Sequence, residues 1–275
     1  MNNNNLNFIF FGTPDVASET LEILKESGNI PSLIVTSPDA KRGRGLRLQA
    51  SPVAVFAKEN NLPCLKPEKL DQEFTLKLST FNFQLFVVVA YGKIIPENII
   101  NIPKLGSINI HYSLLPKYRG ASPVESAILN GDLETGVTIQ KMKYKMDSGP
   151  IIAQEKIAML PDEKAPALRQ RLIKIGGELL VKILPEIIER KIKLTEQNED
   201  MATYCQKIKK EDGLIDLNDN AIKNYNKFRA YAFWPRTFFF KDGKRIIITK
   251  AKLENGKFVI EKIIPESGKE MDYKN

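Results

Sequence analysis

Asn109-Ile110-His111 closes a short β-like run, and thirty-six residues after the histidine Asp147 stands ahead of Ser148-Gly149-Pro150. His111 is the only histidine in the 275-residue chain. Asn and His at i and i+2 of an extended segment face the same side. They would present an amide donor beside an imidazole, a side chain suited to moving protons near neutrality. A carboxylate in a neighbouring loop would fix the imidazole's tautomer. An amide, an imidazole and a carboxylate together suit acyl transfer, with donors for a developing oxyanion and acid/base groups for the proton. Taken singly, each has a plainer reading: a strand-end polar pair and a turn aspartate. The chemistry therefore depends on elements that bring them together.

The first 160 residues alternate strand-like and helix-like segments. Leu6–Phe11 is an apolar run ending at Gly12, as a buried parallel strand would be. Pro14 sits where a helix can start, and Ala17, Leu21 and Leu24 recur at helical spacing up to Gly28. Leu33–Thr36, Leu85–Ala90, Ser107–Ile110 and Gly136–Lys141 read as strands, and Pro52–Asn60 and Gln72–Ser79 as helices. This alternation predicts an α/β domain with a doubly wound, mostly parallel sheet, in which ligands bind at the carboxyl ends of the strands. Lys164–Lys191 carries a long helical pattern that Pro185 should kink or split. Lys193–Thr203 is polar, as a linker would be. After a short helix at Ala221–Tyr231, strands at Thr237–Phe240, Arg245–Thr249 and Lys257–Ile264 are joined by the turns Asp242-Gly243 and Asn255-Gly256. These predict a small β-rich, OB-like barrel. The expected domains are 1–192, a linker over 193–206, and 207–275.

Composition narrows the class. Hydrophobic residues at 43% and charged residues at 27% are ordinary for a globular chain and exclude disorder. The longest apolar run, Leu85–Tyr91, is far short of the ~20 residues a bilayer span needs. MNNNN is polar and unlike a signal peptide, so a cytoplasmic protein with no membrane association is expected. Two cysteines and one histidine exclude a disulfide framework and a Cys/His zinc cluster, so no metal is expected. The net charge of +8 is uneven: from Gln206 onward there are 16 Lys/Arg against 10 Asp/Glu, leaving 25 against 23 before it. The basic tail points to a polyanionic partner, or to a lysine-rich composition alone.

The segment after His111 sharpens this picture. NIHYSLLPKYRGASPV, followed by GDLETGVTI and MDSGPI, resembles the folate-dependent formyltransferases, whose shared signature is Asn-x-His-x-Ser-Leu-Leu-Pro with a downstream Asp. Phe11-Gly12-Thr13-Pro14-Asp15 is similar to the branch that acts on methionyl-tRNA. So are Ser37-Pro38-Asp39-Ala40-Lys41-Arg42-Gly43-Arg44-Gly45 and, toward the end, ATYCQKIKKEDGLIDL, FRAYAFWPRTFF and IIPESGKEM. The resemblance spans about Leu6 to Met271.

It implies formyl transfer from 10-formyltetrahydrofolate, a co-substrate, to the α-amino group of methionyl initiator tRNA by a monomer. Asn109, His111 and Asp147 would be the catalytic trio, with Asn109 and His111 donating to the oxyanion and Asp147 receiving the amine's proton through water. Ser113, Leu114, Leu115 and Pro116 would line the folate site, and Ala90, Tyr91, Gly92, Ile94 and Ile95 would wall the pterin. Lys41, Arg42, Arg44 and Arg47, in a glycine-containing basic loop, would meet the tRNA acceptor end, and Lys207, Lys209 and Lys210 its backbone. Trp234-Pro235 would pack between domains. Val16 and Tyr112 depart from the family's usual residues, and the tail is short enough to lack a hairpin. A sugar-nucleotide N-formyltransferase with the same trio, and a non-catalytic RNA-binding relative, are the alternatives.

Overall fold

A computed structural model describes residues 6–42 and 45–274, which divide into two compact units. The first takes its residues from Met1–Pro116, Val137–Glu155 and Leu172–Ala202, and the second from Lys117–Gly136, Lys156–Arg171 and Thr203–Asn275. The chain runs β1 (Phe8–Gly12), α1 (Asp15–Glu26), β2 (Leu33–Val35), β3 (Ala40–Arg42), β4 (Arg47–Gln49), α2 (Pro52–Glu59), β5 (Cys64–Leu65) and α3 (Gln72–Ser79). It continues through β6 (Leu85–Val89), α4 (Glu97–Ile100), β7 (Ser107–His111), β8 (Arg119–Gly120), α5 (Pro123–Leu129), β9 (Glu134–Lys141), β10 (Ile151–Ala158) and α6 (Ala165–Ile188). It ends with β11 (Tyr204–Cys205), α7 (Ala221–Ala230), β12 (Phe238–Lys241), β13 (Lys244–Glu254), β14 (Lys257–Pro265) and β15 (Met271–Asp272).

One seven-stranded sheet, ordered β10-β9-β7-β6-β1-β2-β5, forms the frame. β5, β2, β1, β6 and β7 are parallel, and β9 turns antiparallel to β7. Every residue of β1 (FIFFG) and β6 (LFVVV) is buried, which is why both read as unbroken apolar runs rather than alternating ones. Burying those side chains on both sheet faces, at ~25 cal/mol per Å² of apolar area, is the main stabilising term. On α1, Ala17, Leu21 and Leu24 are buried. Gly12 ends β1 where any Cβ would fall 2.6 Å from Ala17 Cβ and 3.0 Å from Val89 O, so only glycine lets the strand turn into the helix this tightly.

The second unit contains an antiparallel sheet ordered β12-β13-β14-β15. Its two tight turns have the left-handed backbone that Asp-Gly and Asn-Gly supply: φ is 50° and 73° at Asp242 and Gly243, and 50° and 74° at Asn255 and Gly256. Tyr225 and Phe228 of α7 pack with Phe239, Ile246, Ile248 and Ile263 as its core. Among the described residues β12 and β15 do not pair, so the antiparallel sheet is open rather than a closed barrel.

The expected break at Pro185 is corrected. Pro185 does not split the long helix: α6 runs unbroken to Ile188. The proline forfeits only the bond back to Val181 close to the helix end, and burial of Ile183, Leu184 and Ile187 holds that turn in place. At Trp234-Pro235 the two side chains differ: Trp234 is 50% exposed and Pro235 is buried. In the basic loop β3 and β4 pair as a hairpin, with Lys41 opposite Leu48 and Arg42 opposite Arg47.

Candidate active site

The registers of β6, β7 and β9 assemble the site. Asn109 is paired with Val88 on one side and with Gln140 on the other, and His111 is paired with Thr138. Directly opposed residues of an antiparallel pair present side chains to the same face. Asn109, His111, Gln140 and Thr138 therefore share one face at the carboxyl end of the sheet, where open α/β sheets bind ligands. The same edge is fastened by Thr13, whose hydroxyl donates to Tyr91 O at 2.9 Å and shares a hydrogen bond with Ser37 Oγ at 3.1 Å. That residue ties together the ends of β1, β2 and β6.

The loop between β9 and β10 brings Asp147 back to this face. His111 Nδ1 lies 3.7 Å from Asp147 Oδ2; the imidazole is buried and Asp147 partly so. Asp147 has φ of 49°, a left-handed conformation that few non-glycine residues adopt and that surrounding contacts must impose. Those contacts come from two glutamines that the sequence did not single out. Gln140 donates through Nε2 to Asp147 Oδ1 at 2.9 Å and accepts from Gly149 N at 3.2 Å. Gln197 donates through Nε2 to Asp147 O at 2.8 Å and Gly149 O at 2.7 Å. At Gly149 an added Cβ would meet Lys141 O at 1.7 Å, so the loop closes against β9 only with glycine there. Exposed ion pairs from Lys143 to Glu196 and from Lys145 to Glu199 flank the same junction.

A second polar set fixes the chain just after His111. Thr138 Oγ1 donates to Ser113 O at 2.6 Å and accepts from Leu115 N at 3.0 Å. Gln154 donates to Leu115 O at 2.8 Å and to Thr138 Oγ1 at 2.9 Å. Ser113 and Leu115 are buried, and Leu114 and Pro116 partly so. Thr138 and Gln140 had one available signal in the sequence, their alternation along β9. For Gln154 and Gln197 there was none, because both lie far along the chain from the residues they hold.

The anticipated pterin wall follows β6. Tyr91 and Ile95 are buried, whereas Ala90, Gly92 and Ile94 are exposed, with φ of 46° at Ala90 and 83° at Gly92. Tyr91 packs edge-on against Phe11, and its hydroxyl finds no hydrogen-bond partner among the described residues. Burial pushes this phenol up to about 12. A buried hydroxyl left over beside exposed backbone and an exposed Ile94 fits a flat, polar-edged heterocycle.

Lys41 and Arg47 are exposed on the β3–β4 hairpin, next to exposed Leu46 and Leu48. Arg44 and the Arg42 side chain lie outside the described residues. In the second unit Lys207, Lys209 and Lys210 are exposed. Lys207 and Lys209 border a cavity of about 390 Å³ that is also lined by Tyr118, Glu125, Tyr204 and Tyr231, and that includes none of the trio. No group of three or more His, Cys, Asp and Glu suited to a metal is present among the described residues, and no helix there is long and apolar enough to cross a membrane.

Known proteins resemble this chain in sequence and in fold. The family described as formyl transferase matches residues 5–184, and its C-terminal domain matches residues 207–269. The chain is 43% identical to the methionyl-tRNA formyltransferase of Dictyoglomus turgidum over 94% of its own length and 82% of the relative's. It is 40% identical to that of Thermotoga neapolitana over 86% and 76%. Among solved structures, the methionyl-tRNA formyltransferase of Clostridium thermocellum superposes with a TM-score of 0.62 at 18% identity, covering 95% of this chain and 99% of the other. The sugar 3N-formyl transferase WlaRD, solved in the presence of dTDP and 5-N-formyl-THF, superposes at 0.67 with 24% identity over 92% and 88%. These two likenesses establish the shared fold.

Proposed function

Because this chain belongs to the formyl transferase family, we propose that it transfers the formyl group of 10-formyltetrahydrofolate to the α-amino group of methionyl initiator tRNA. The observation that carries the reading is the meeting of His111 and Asp147 at 3.7 Å beside Asn109, on the sheet edge that adjoins the Tyr91–Ile95 wall. The bound folate supplies an electrophilic formyl carbon. Tyr91, Ile95 and the Ser113–Pro116 segment hold its ring system, with the Tyr91 hydroxyl free to serve a polar ring atom.

Asn109 and His111 donate to the formyl oxygen as negative charge gathers there, a class of contact worth ~3–4 kcal/mol per donor. The attacking α-amine is neutral in useful proportion because such groups titrate near ~7.7–8.0. Asp147 orients the imidazole through Oδ2 and takes up, by way of water, the proton that the amine releases; as the oxyanion collapses the bond between the formyl carbon and N10 breaks, and that proton passes to N10, so that tetrahydrofolate leaves as the neutral amine. Lys41 and Arg47 meet phosphates at the acceptor end of the tRNA, and Lys207, Lys209 and Lys210 follow its backbone, a charge-driven contact that salt weakens.

The test offers the protein labelled 10-formyltetrahydrofolate with methionyl initiator tRNA, methionyl elongator tRNA, and a dTDP-linked amino sugar in parallel. Label on the initiator tRNA is expected. Label confined to the sugar, the chemistry of a protein with the same fold, would overturn the assignment of substrate.

A further inference from the structure

Gln140 is more than structural filling. We infer that it is a positioning residue for Asp147, its amide selecting which carboxylate oxygen faces His111; this rests on the catalytic reading of Asp147 given above. Each carboxylate oxygen has a neighbour of its own: Oδ1 receives the Gln140 Nε2–H bond at 2.9 Å, and Oδ2 stands 3.7 Å from His111 Nδ1. Rotation of the carboxyl group is what would otherwise blur that assignment, since the terminal torsion of Asp is broad. Hydrogen bonding one oxygen to a buried donor removes this freedom.

The donor itself is held rigidly. Gln140 is only 2% exposed, and its register is set by the ladder pairing with Asn109. Its amide orientation is fixed because Oε1 accepts from Gly149 N, leaving Nε2 to face Asp147. Gln140 thus grips both residue 147 and residue 149 with its side chain, while Gln197 grips the backbone carbonyls of the same two residues. Gln197 holds the backbone carbonyls of the loop, and Gln140 holds its Gly149 N–H together with the Asp147 carboxylate. The pairing of Asn109 with Gln140 also means that one strand register sets the oxyanion donor and the support of the proton acceptor together. A shift of one residue would lose both.

Two substitutions separate holding the loop from orienting the carboxylate. Gln140→Leu removes both hydrogen bonds. Gln140→Glu keeps an acceptor for Gly149 N–H but replaces the donor facing Asp147 Oδ1. Each is compared with the unchanged protein by single-turnover formylation, by KM for both substrates and by thermal unfolding midpoint. Gln140→Leu is also combined with Asp147→Asn. The expected result is a rate lowered about 10- to 100-fold in both variants with KM within about twofold, the scale that a small misplacement of a reacting group produces. Adding Gln140→Leu to Asp147→Asn should cost nothing further.

Full rate in Gln140→Glu, a rise in KM alone, or an equal further loss on top of Asp147→Asn would each overturn the inference while leaving the role of Asp147 standing. Full rate in Asp147→Asn itself would instead remove the catalytic reading on which it rests. Should Gln140→Leu fail to fold, Gln140→Glu decides alone.

Discussion

His111 Nδ1 and Asp147 Oδ2 stand 3.7 Å apart, within ion-pair reach and longer than a hydrogen bond. Catalytic hydrogen bonds are often loose in the absence of substrate and tighten in the reacting complex. Replacing His111 by Ala is expected to lower single-turnover formylation by about 10²–10³-fold, the cost of one oxyanion donor, with tRNA affinity nearly unchanged. A variant of undiminished rate would remove His111 from the chemistry.

Gly149 should tolerate no side chain. The Cβ of Gly149→Ala would sit 1.7 Å from Lys141 O, a backbone atom that cannot swing aside. Overpacking of this kind costs about 1–3 kcal/mol, and the shifted loop carries Asp147 with it. Denaturant unfolding and turnover should therefore both suffer. A stable variant with lowered rate would locate the damage in the site alone, and a variant normal in both would show that the loop closes by another route.

Alkaline stability is expected to depend on Tyr91. Burial favours the neutral phenol and raises its folded value to about 12, against about 10 in the unfolded chain. Its contribution to stability is fully present below pH ~10 and is lost as pH rises through ~12. Tyr91→Phe removes a hydroxyl with no partner among the described residues and should be neutral or slightly stabilising at pH 7. It should also flatten the fall in stability between pH 10 and 12, read by urea unfolding across that range. An unchanged alkaline slope would assign the loss to other groups.

The β3–β4 hairpin offers an electrostatic test. Lys41→Glu and Arg47→Glu each reverse an exposed charge away from the trio's strands. Raised KM for tRNA, unchanged KM for folate and a salt dependence shallower by about one unit for each lost phosphate contact are expected. If tRNA KM does not move, the hairpin is solvated surface.

Much of the fold was legible because its signals are local. Buried parallel strands such as Phe8–Gly12 and Leu85–Val89 must be apolar throughout, and the Asp-Gly and Asn-Gly turns need positive φ at both residues; each is written in a few consecutive residues. α5 and the strand Ile151–Ala158 were not legible. α5 is only seven residues long, and the strand is largely half-exposed with a mixed pattern, so neither has a clear period. The persistence of α6 through Pro185 was likewise decided by burial of its neighbours rather than by its own propensity.

By itself the sequence determined the chemical inventory: one histidine, an asparagine two residues before it on the same strand face, and a carboxylate ahead of Ser-Gly-Pro. These follow from residue identity and the twofold period of a strand, which need no knowledge of distant neighbours. Only the tertiary structure decided how that inventory is held. Gln140 stands opposite Asn109 because β9 pairs with β7 in one register, and Gln197 reaches Asp147 across fifty residues of intervening chain. Such contacts bring together groups far apart in the chain, and their cost in loop-closure entropy is offset only when the whole sheet forms.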